Sequence, residues 1–94
     1  MSGAIPSDSA ANITIQTQQV LAQLDERLAE ADSSRDKILS ATIWMHDVNR
    51  DVDAFNAEWN EWVIPGRPPA RSCIQSTPQR GVLLEIALVA AVQD

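Results

Sequence analysis

The stretch from Val82 to Val92, VLLEIALVAAV, restricts the fold more than any other part of the chain. Its longest uninterrupted apolar run, Ile86 to Val92, is far too short to span a bilayer. As a strand, the stretch is apolar on both faces except at Glu85, which is typical of a strand buried on both sides. We therefore expect this strand to lie centrally in a sheet that other segments complete and cover.

Two earlier segments have the periodicity of helices that cover such a sheet. After an N-cap-rich start, SDSAAN, apolar residues recur at three- and four-residue spacing, which predicts a helix from about Ala11 to Ala31. A second helix is predicted to begin within Asn49–Asp51 and to end before Ile64. Its apolar stripe consists of Val52, Phe55, Trp59 and Trp62.

Two further segments alternate apolar and polar residues and are predicted to be strands. Ile38–His46 is the first, and Ala70–Gln75, which follows two prolines, is the second. A turn over Ser76–Gly81 then joins the second strand to the last one as a hairpin. This order predicts an α+β fold, a two-layer sandwich with a mixed sheet packed on two helices, formed by residues 1–94 as a single domain.

Composition and charge exclude several classes of function. The chain has 94 residues with 13 acidic and 7 basic side chains, a formal net charge of −6. Nucleic acid and anionic membrane both require a basic surface, so neither is expected as the main partner. A single cysteine excludes an intramolecular disulfide, and the N-terminus lacks the features of a signal peptide. We expect a cytoplasmic protein.

Most residues with reactive side chains have a structural interpretation. Glycine-rich phosphate loops and cysteine or histidine clusters for a metal are missing from the sequence. His46 has no partner in the pattern and is interpreted as structural or exposed. Cys73 is interpreted as a small buried apolar residue in preference to a nucleophile. Trp59 and Trp62 are expected to anchor the core or an interface.

The face of the first strand that carries Trp44 is a candidate subunit contact. In a strand, Trp44 and Met45 point to opposite faces. One of them therefore faces something other than the core of its own chain, and small domains often gain stability by oligomerising.

Arg71 and Glu85 are the two charges that the predicted strands place among apolar residues. An unpaired buried carboxylate costs several kcal/mol, so Glu85 needs a partner or an exposed position. A hairpin centred on Pro78 would place Arg71 opposite Glu85. Two interpretations remain open at this point: a cross-strand salt bridge, or a site where Arg71 binds an anionic ligand and Glu85 handles a proton or a water molecule.

The segment PPARSCIQ…LLEIALVAAV resembles the C-terminal motif of the reactive intermediate deaminase family, also called the RidA or YjgF-like family. SGAIP, ILSATIWMHDV and FNAEWNEWV agree with the same family in order and spacing, so the resemblance covers essentially the whole chain. The tryptophan-rich middle is most similar to the YoaB-like branch. Two strands that usually precede the SG segment are not matched, so the chain is expected to be N-terminally truncated or to have a start codon further upstream.

This resemblance implies a chorismate-mutase-like fold, assembled as a homotrimer with sites in the clefts between subunits. It implies hydrolysis of 2-imino acids to 2-keto acids and ammonia without metal or organic cofactor, or, as the alternative, a non-catalytic trimer that binds small carboxylates. Arg71 would bind the substrate carboxylate, Glu85 would orient or activate water, and the backbone carbonyl of Cys73 would hold the imine nitrogen. Ser2, Gly3 and Asn56 would line the same cleft.

Overall fold

A computed structural model describes residues 3–66, 68–78 and 80–92. It contains every helix and strand that the sequence predicts, together with a short 3-10 helix at Arg35–Lys37. The elements, in chain order, are α1 (Ile13–Glu30), β1 (Ile38–Met45), α2 (Val48–Trp62), β2 (Ala70–Gln75) and β3 (Leu84–Ala90). Neither helix is long and apolar enough, within the described residues, to cross a membrane.

Both helices begin at a side chain that caps the first turn. The Asn12 side chain accepts a hydrogen bond of 2.9 Å from the Ile15 amide at the start of α1. Asp47 does the same for α2, accepting from the Arg50 amide at 3.1 Å. The sequence predicted that α2 begins within Asn49–Asp51. Because Asp47 is the cap, the helix instead begins at Val48.

The sheet has the strand order β2-β1-β3, which differs from the predicted hairpin. β1 pairs with β2 in parallel and with β3 antiparallel. Helix α2 forms the crossover from β1 to β2, because parallel neighbours need a long connection. The predictions that β2 and β3 form a hairpin and that the last strand lies centrally are therefore wrong. The central strand is β1, and the outer side of β3 is bridged by Ala4 opposite Ile86.

One face of the sheet is covered by α1 and α2, and the core lies between these two layers. The strand residues on this covered face include Ile43, Met45 and Ile86, each fully buried. The helices contribute Val20, Leu21, Leu24, Leu28, Phe55, Trp59 and Trp62. Burial of such side chains contributes roughly 1.5–3 kcal/mol each to folding before entropy is counted.

The other face of the sheet has no helix over it within the described residues. We call it the open face, and its members alternate with the core residues along each strand. Trp44 lies there, half-buried, while Met45 beside it is fully buried, as the alternation predicted. Ile74 is 44% exposed and Val89 is 57% exposed on the same face, an apolar surface that suits contact with another chain.

A bulge at the start of β1 overrides the alternation predicted there. Pairing with β3 shifts between Ile38 and Ser40, so Leu39 is the additional residue. Alternation alone places Leu39 on the same face as Ala41, yet Leu39 is 60% exposed and Ile38 is buried. The bulge thus places Leu39 on the surface.

Candidate functional site

Arg71 lies on the edge strand β2 with its guanidinium exposed to solvent. It is paired in register with Ala41, so it projects from the helix-covered face of the sheet. The helices extend only partly over β2, and its residues are mostly exposed. Arg71 Nη2 donates a hydrogen bond of 2.8 Å to Asn56 Oδ1 on α2. Arg71 and Asn56, two of the predicted site residues, are therefore in direct contact.

Two buried aromatic rings of α2 support the same guanidinium. Arg71 Cζ lies 5.5 Å from the centre of the Phe55 ring and 5.9 Å from that of Trp59. The two rings stack on each other with centres 5.8 Å apart. Cation–π attraction and the Asn56 amide thus fix the guanidinium from the helix side and leave its other side available. The sequence predicted Phe55 as part of the apolar stripe and Trp59 as an anchor of the core or an interface, although their positions on either side of Asn56 on one helix indicate this second contact.

Cys73 follows Arg71 on the same face of β2 and is half-buried. Its Sγ lies 3.3 Å from Met45 Sδ, at the border of the core. Burial raises the pKa of the Cys73 thiol above its ordinary value, although the positive charge of Arg71 acts in the opposite direction. A raised pKa keeps the thiol protonated at neutral pH, which fits the predicted apolar role and not a nucleophile.

Glu85 lies on β3, between the central strand β1 and the N-terminal segment. It pairs in register with Trp44 and therefore belongs to the open face. A Cβ atom added to Gly3 would lie 2.9 Å from Glu85 Cδ and would overlap the carboxylate. Gly3 and Glu85 are thus in close contact, and a larger residue at position 3 would displace the carboxylate from its observed position. Ser2 lies outside the described residues.

Hydrogen bonds on both sides hold the segment that carries Gly3. The Ala4 amide donates to the Ile86 carbonyl at 2.7 Å, and the Ile86 amide donates back to the Ala4 carbonyl at 3.1 Å. From α1, Gln23 Nε2 donates to the Ile5 carbonyl at 2.7 Å. These bonds fix the backbone of the segment against β3, directly beside Glu85.

The predicted pairing of Arg71 with Glu85 across a hairpin is wrong. β1 separates their strands, and Arg71 projects on the helix-covered side while Glu85 projects on the open face. The site residues therefore form two groups. We call Arg71, Asn56 and Cys73 the arginine half-site, and Gly3 with Glu85 the glutamate half-site. Within the described residues no group of three or more histidine, cysteine or acidic side chains is arranged to hold a metal ion.

The model of one protein family, described as Endoribonuclease L-PSP, matches residues 1–92. The chain belongs to this family. Among curated relatives, the RutC family protein YoaB of Escherichia coli K12 is 38% identical over 91 residues, covering 94% of this chain and 77% of that protein. A RutC family protein of Haemophilus ducreyi is 33% identical over 91 residues, covering 96% of this chain and 77% of that protein. These matches confirm the predicted RidA or YjgF-like membership and the similarity to YoaB.

Solved structures confirm the fold of this Endoribonuclease L-PSP family member. A YjgF-family protein from Neisseria meningitidis superposes with a TM-score of 0.94 at 36% identity, covering all of this chain and 78% of that one. A protein from Salmonella typhimurium described as a putative translation initiation inhibitor gives a TM-score of 0.90 at 36% identity, covering 96% of this chain and 78% of that one. The predicted α+β class, with a mixed sheet on two helices, is therefore correct.

Proposed function

We propose that the protein hydrolyses 2-imino acids to 2-keto acids and ammonia at a site shared between two copies of the chain. The observation that carries this proposal is the exposed guanidinium of Arg71. It is fixed by Asn56 and two buried rings, and it makes no ion pair within the part of the chain that the structure describes. Such a guanidinium is pre-organised to take the carboxylate of a small acid through two parallel hydrogen bonds.

The reaction needs few protein groups because the imine carbon is already electrophilic. Water adds to that carbon, a proton passes to the nitrogen, and the resulting carbinolamine expels ammonia to leave the keto acid. Glu85 is proposed to accept the proton from water and return it to the leaving nitrogen. The backbone carbonyl of Cys73 is proposed to hold the imine nitrogen, so positioning supplies most of the rate. No metal or organic cofactor takes part in this scheme.

The separation of the two half-sites on opposite faces favours an assembly of several copies. A single chain leaves Arg71 on one side of its sheet and Glu85 on the other. A neighbouring copy packed against the open face is able to bring its own arginine half-site to the glutamate half-site. We propose a homotrimer, as the resemblance implies, with the exposed Ile74 and Val89 buried in the contact.

RNA cleavage, which the family description names, is not favoured for this chain. A net charge of −6 opposes binding to the phosphate backbone, which dominates the affinity of nucleic-acid-binding proteins. The single free cysteine fits a reducing compartment, and we propose a cytoplasmic location on that ground.

Removal of the Arg71 guanidinium tests the proposal. An amino-acid oxidase generates 2-iminopropanoate in situ. The rate at which this imine disappears with the protein present is compared with its rate of spontaneous hydrolysis. We expect Arg71→Ala to abolish the protein-dependent rate, because the carboxylate loses its charged partner. Lys37→Ala, which removes a positive charge from a residue outside both half-sites, is expected to keep the wild-type rate.

Two results separate this function from its alternatives. A wild-type rate in Arg71→Ala contradicts the role assigned to Arg71. If the wild-type protein binds 2-ketobutyrate saturably through Arg71 but accelerates no hydrolysis, the chain is a non-catalytic module for small carboxylates.

A further inference from the structure

A second cleft lies at the carboxyl end of β1, away from both half-sites. It encloses about 400 Å³ between the start of α2 and the connection from β2 to β3. His46 and Arg50 line one side, and residues of the connection line the other. Neither Arg71 nor Glu85 borders it. Its volume falls within the range of small-molecule sites in proteins, which is roughly 300–1,000 Å³.

This cleft brings one histidine and two arginines together in an acidic chain. His46 is the only histidine, and Arg50 and Arg80 are two of the seven lysines and arginines in a chain of net charge −6. Arg50 is bound to Asp51 through Nε at 2.9 Å and Nη2 at 2.8 Å, which leaves its Nη1 available. Arg80 is exposed and forms no ion pair with any residue in 3–66, 68–78 or 80–92. Within those residues, no carboxylate pairs with Arg80 to cancel its positive charge.

The cleft also has an apolar part, formed by Pro78, Val82 and Leu83. Val82 is 6% exposed, and Pro78 and Leu83 are half-buried. Together they provide an apolar surface that an inorganic ion, which has no apolar atoms, would leave uncovered. A ligand that satisfies both parts of the cleft has an anionic head and an apolar body.

The apolar side of the cleft is held in place by α1 and β1. Fully buried Gln16 donates through Nε2 to the Gly81 carbonyl at 3.1 Å and accepts from the Leu83 amide at 2.8 Å. The His46 amide donates to the Leu83 carbonyl at 3.0 Å. A binding surface fixed in this way loses little conformational entropy when a ligand arrives.

We propose that this cleft binds a small organic anion, a carboxylate or phosphate monoester with an apolar substituent, at a site independent of Arg71. Arg80 holds the anionic head, assisted by His46 and the free Nη1 of Arg50. Pro78, Val82 and Leu83 contact the apolar body.

Titration of the ¹⁵N-labelled full chain with phenyl phosphate and with phenylacetate tests this site. We expect saturable shifts of the Thr77, Arg80, Gly81 and Leu83 amides, and the same shifts in Arg71→Ala. Arg80→Gln should raise the half-saturating concentration at least about tenfold, because a charge-assisted hydrogen bond is lost. Lys37→Gln removes the same charge outside the cleft and should leave that concentration unchanged. The probe with the lower half-saturating concentration, phenyl phosphate or phenylacetate, identifies which anionic head the cleft prefers.

Three results overturn the proposal. The first is binding that shifts the amides around Arg71 and not those of residues 77–83. The second is an equal effect of Arg80→Gln and Lys37→Gln, which reports only the change in net charge. The third is equally strong binding of benzyl alcohol, which has the apolar body without the anion.

Discussion

The two half-sites are built in opposite ways, although both lie on strands of the same sheet. Arg71 stands on an exposed edge strand and depends on α2, whose Asn56 and buried rings hold the guanidinium. Glu85 stands beside the central strand, and its carboxylate lies so close to Gly3 that a side chain at position 3 would displace it. The arginine half-site thus presents an exposed group held from the helix side, and the glutamate half-site presents a carboxylate packed against the backbone at Gly3.

This difference implies that neither half-site functions alone. A guanidinium binds an acid without converting it, and a glutamate activates water only where a substrate is held against it. The sheet keeps the two groups on opposite faces of one chain. In the proposed homotrimer, assembly would therefore complete the site.

The largest expected effect is the recovery of activity when two inactive variants are combined. Arg71→Ala and Glu85→Gln each lack one half-site but retain the other. When they are co-expressed as mixed oligomers, about a quarter of the shared sites pair an intact Arg71 with an intact Glu85, so about a quarter of the wild-type imine hydrolysis should return. The measurement compares the mixed preparation with each variant alone, and a tag on one variant verifies mixing by pull-down. Verified mixed oligomers without recovery would show that both residues act from the same chain.

A methyl group at Gly3 should damage activity far more than folding. The clash in Gly3→Ala falls on the far end of the Glu85 side chain, which rotates away at small cost to stability. The displaced carboxylate no longer meets the substrate, and a misplacement of about 1 Å costs roughly a hundredfold in rate. We expect kcat/KM for 2-iminopropanoate to fall about a hundredfold while the thermal midpoint stays near that of the wild type. Ser7→Ala, an exposed change further along the segment, is the control. A large drop in midpoint would instead assign Gly3 to folding.

Local features of the sequence predicted the helices and strands well, but the pairing of strands was not predicted correctly. Caps and periodicity are local, so the N-cap-rich stretch before α1 predicted its start near Ala11, close to the observed start at Ile13, and β2 was predicted at its observed bounds, Ala70–Gln75. Apolar residues that recur with a period of two identify a strand, but they do not show which other strand it pairs with. The hairpin between β2 and β3 was therefore as compatible with the pattern as the observed crossover through α2. Leu39 shows the same limit, since a bulge depends on pairing with another strand.

The residues of the candidate site were predicted through the resemblance, and the geometry corrected how they combine. Asn56 lies beside Arg71 and Gly3 lies beside Glu85, and the shared cleft that the resemblance implies for them stays a prediction. The aromatic support from Phe55 and Trp59 was missed, because their place in the apolar stripe of α2 was read only as core or interface and not also as a contact with Arg71 on a neighbouring strand. Periodicity predicts which face of an element is buried. It does not predict which side chains of other elements that face contacts.

The smallest expected effect concerns the support of Arg71 by Asn56. Asn56→Ala removes the 2.8 Å hydrogen bond but leaves the contacts with Phe55 and Trp59, so the guanidinium becomes less well oriented and keeps its charge. We expect KM for 2-iminopropanoate to rise about tenfold with kcat little changed, because the lost contact fixes substrate binding. Asn56→Asp should raise KM further, since its carboxylate would compete with the substrate for Arg71. Asn60→Ala, one turn along α2 and exposed, is the matched control. If Asn56→Asp instead binds substrate as well as the wild type, Arg71 does not receive the carboxylate, and the arginine half-site has another role.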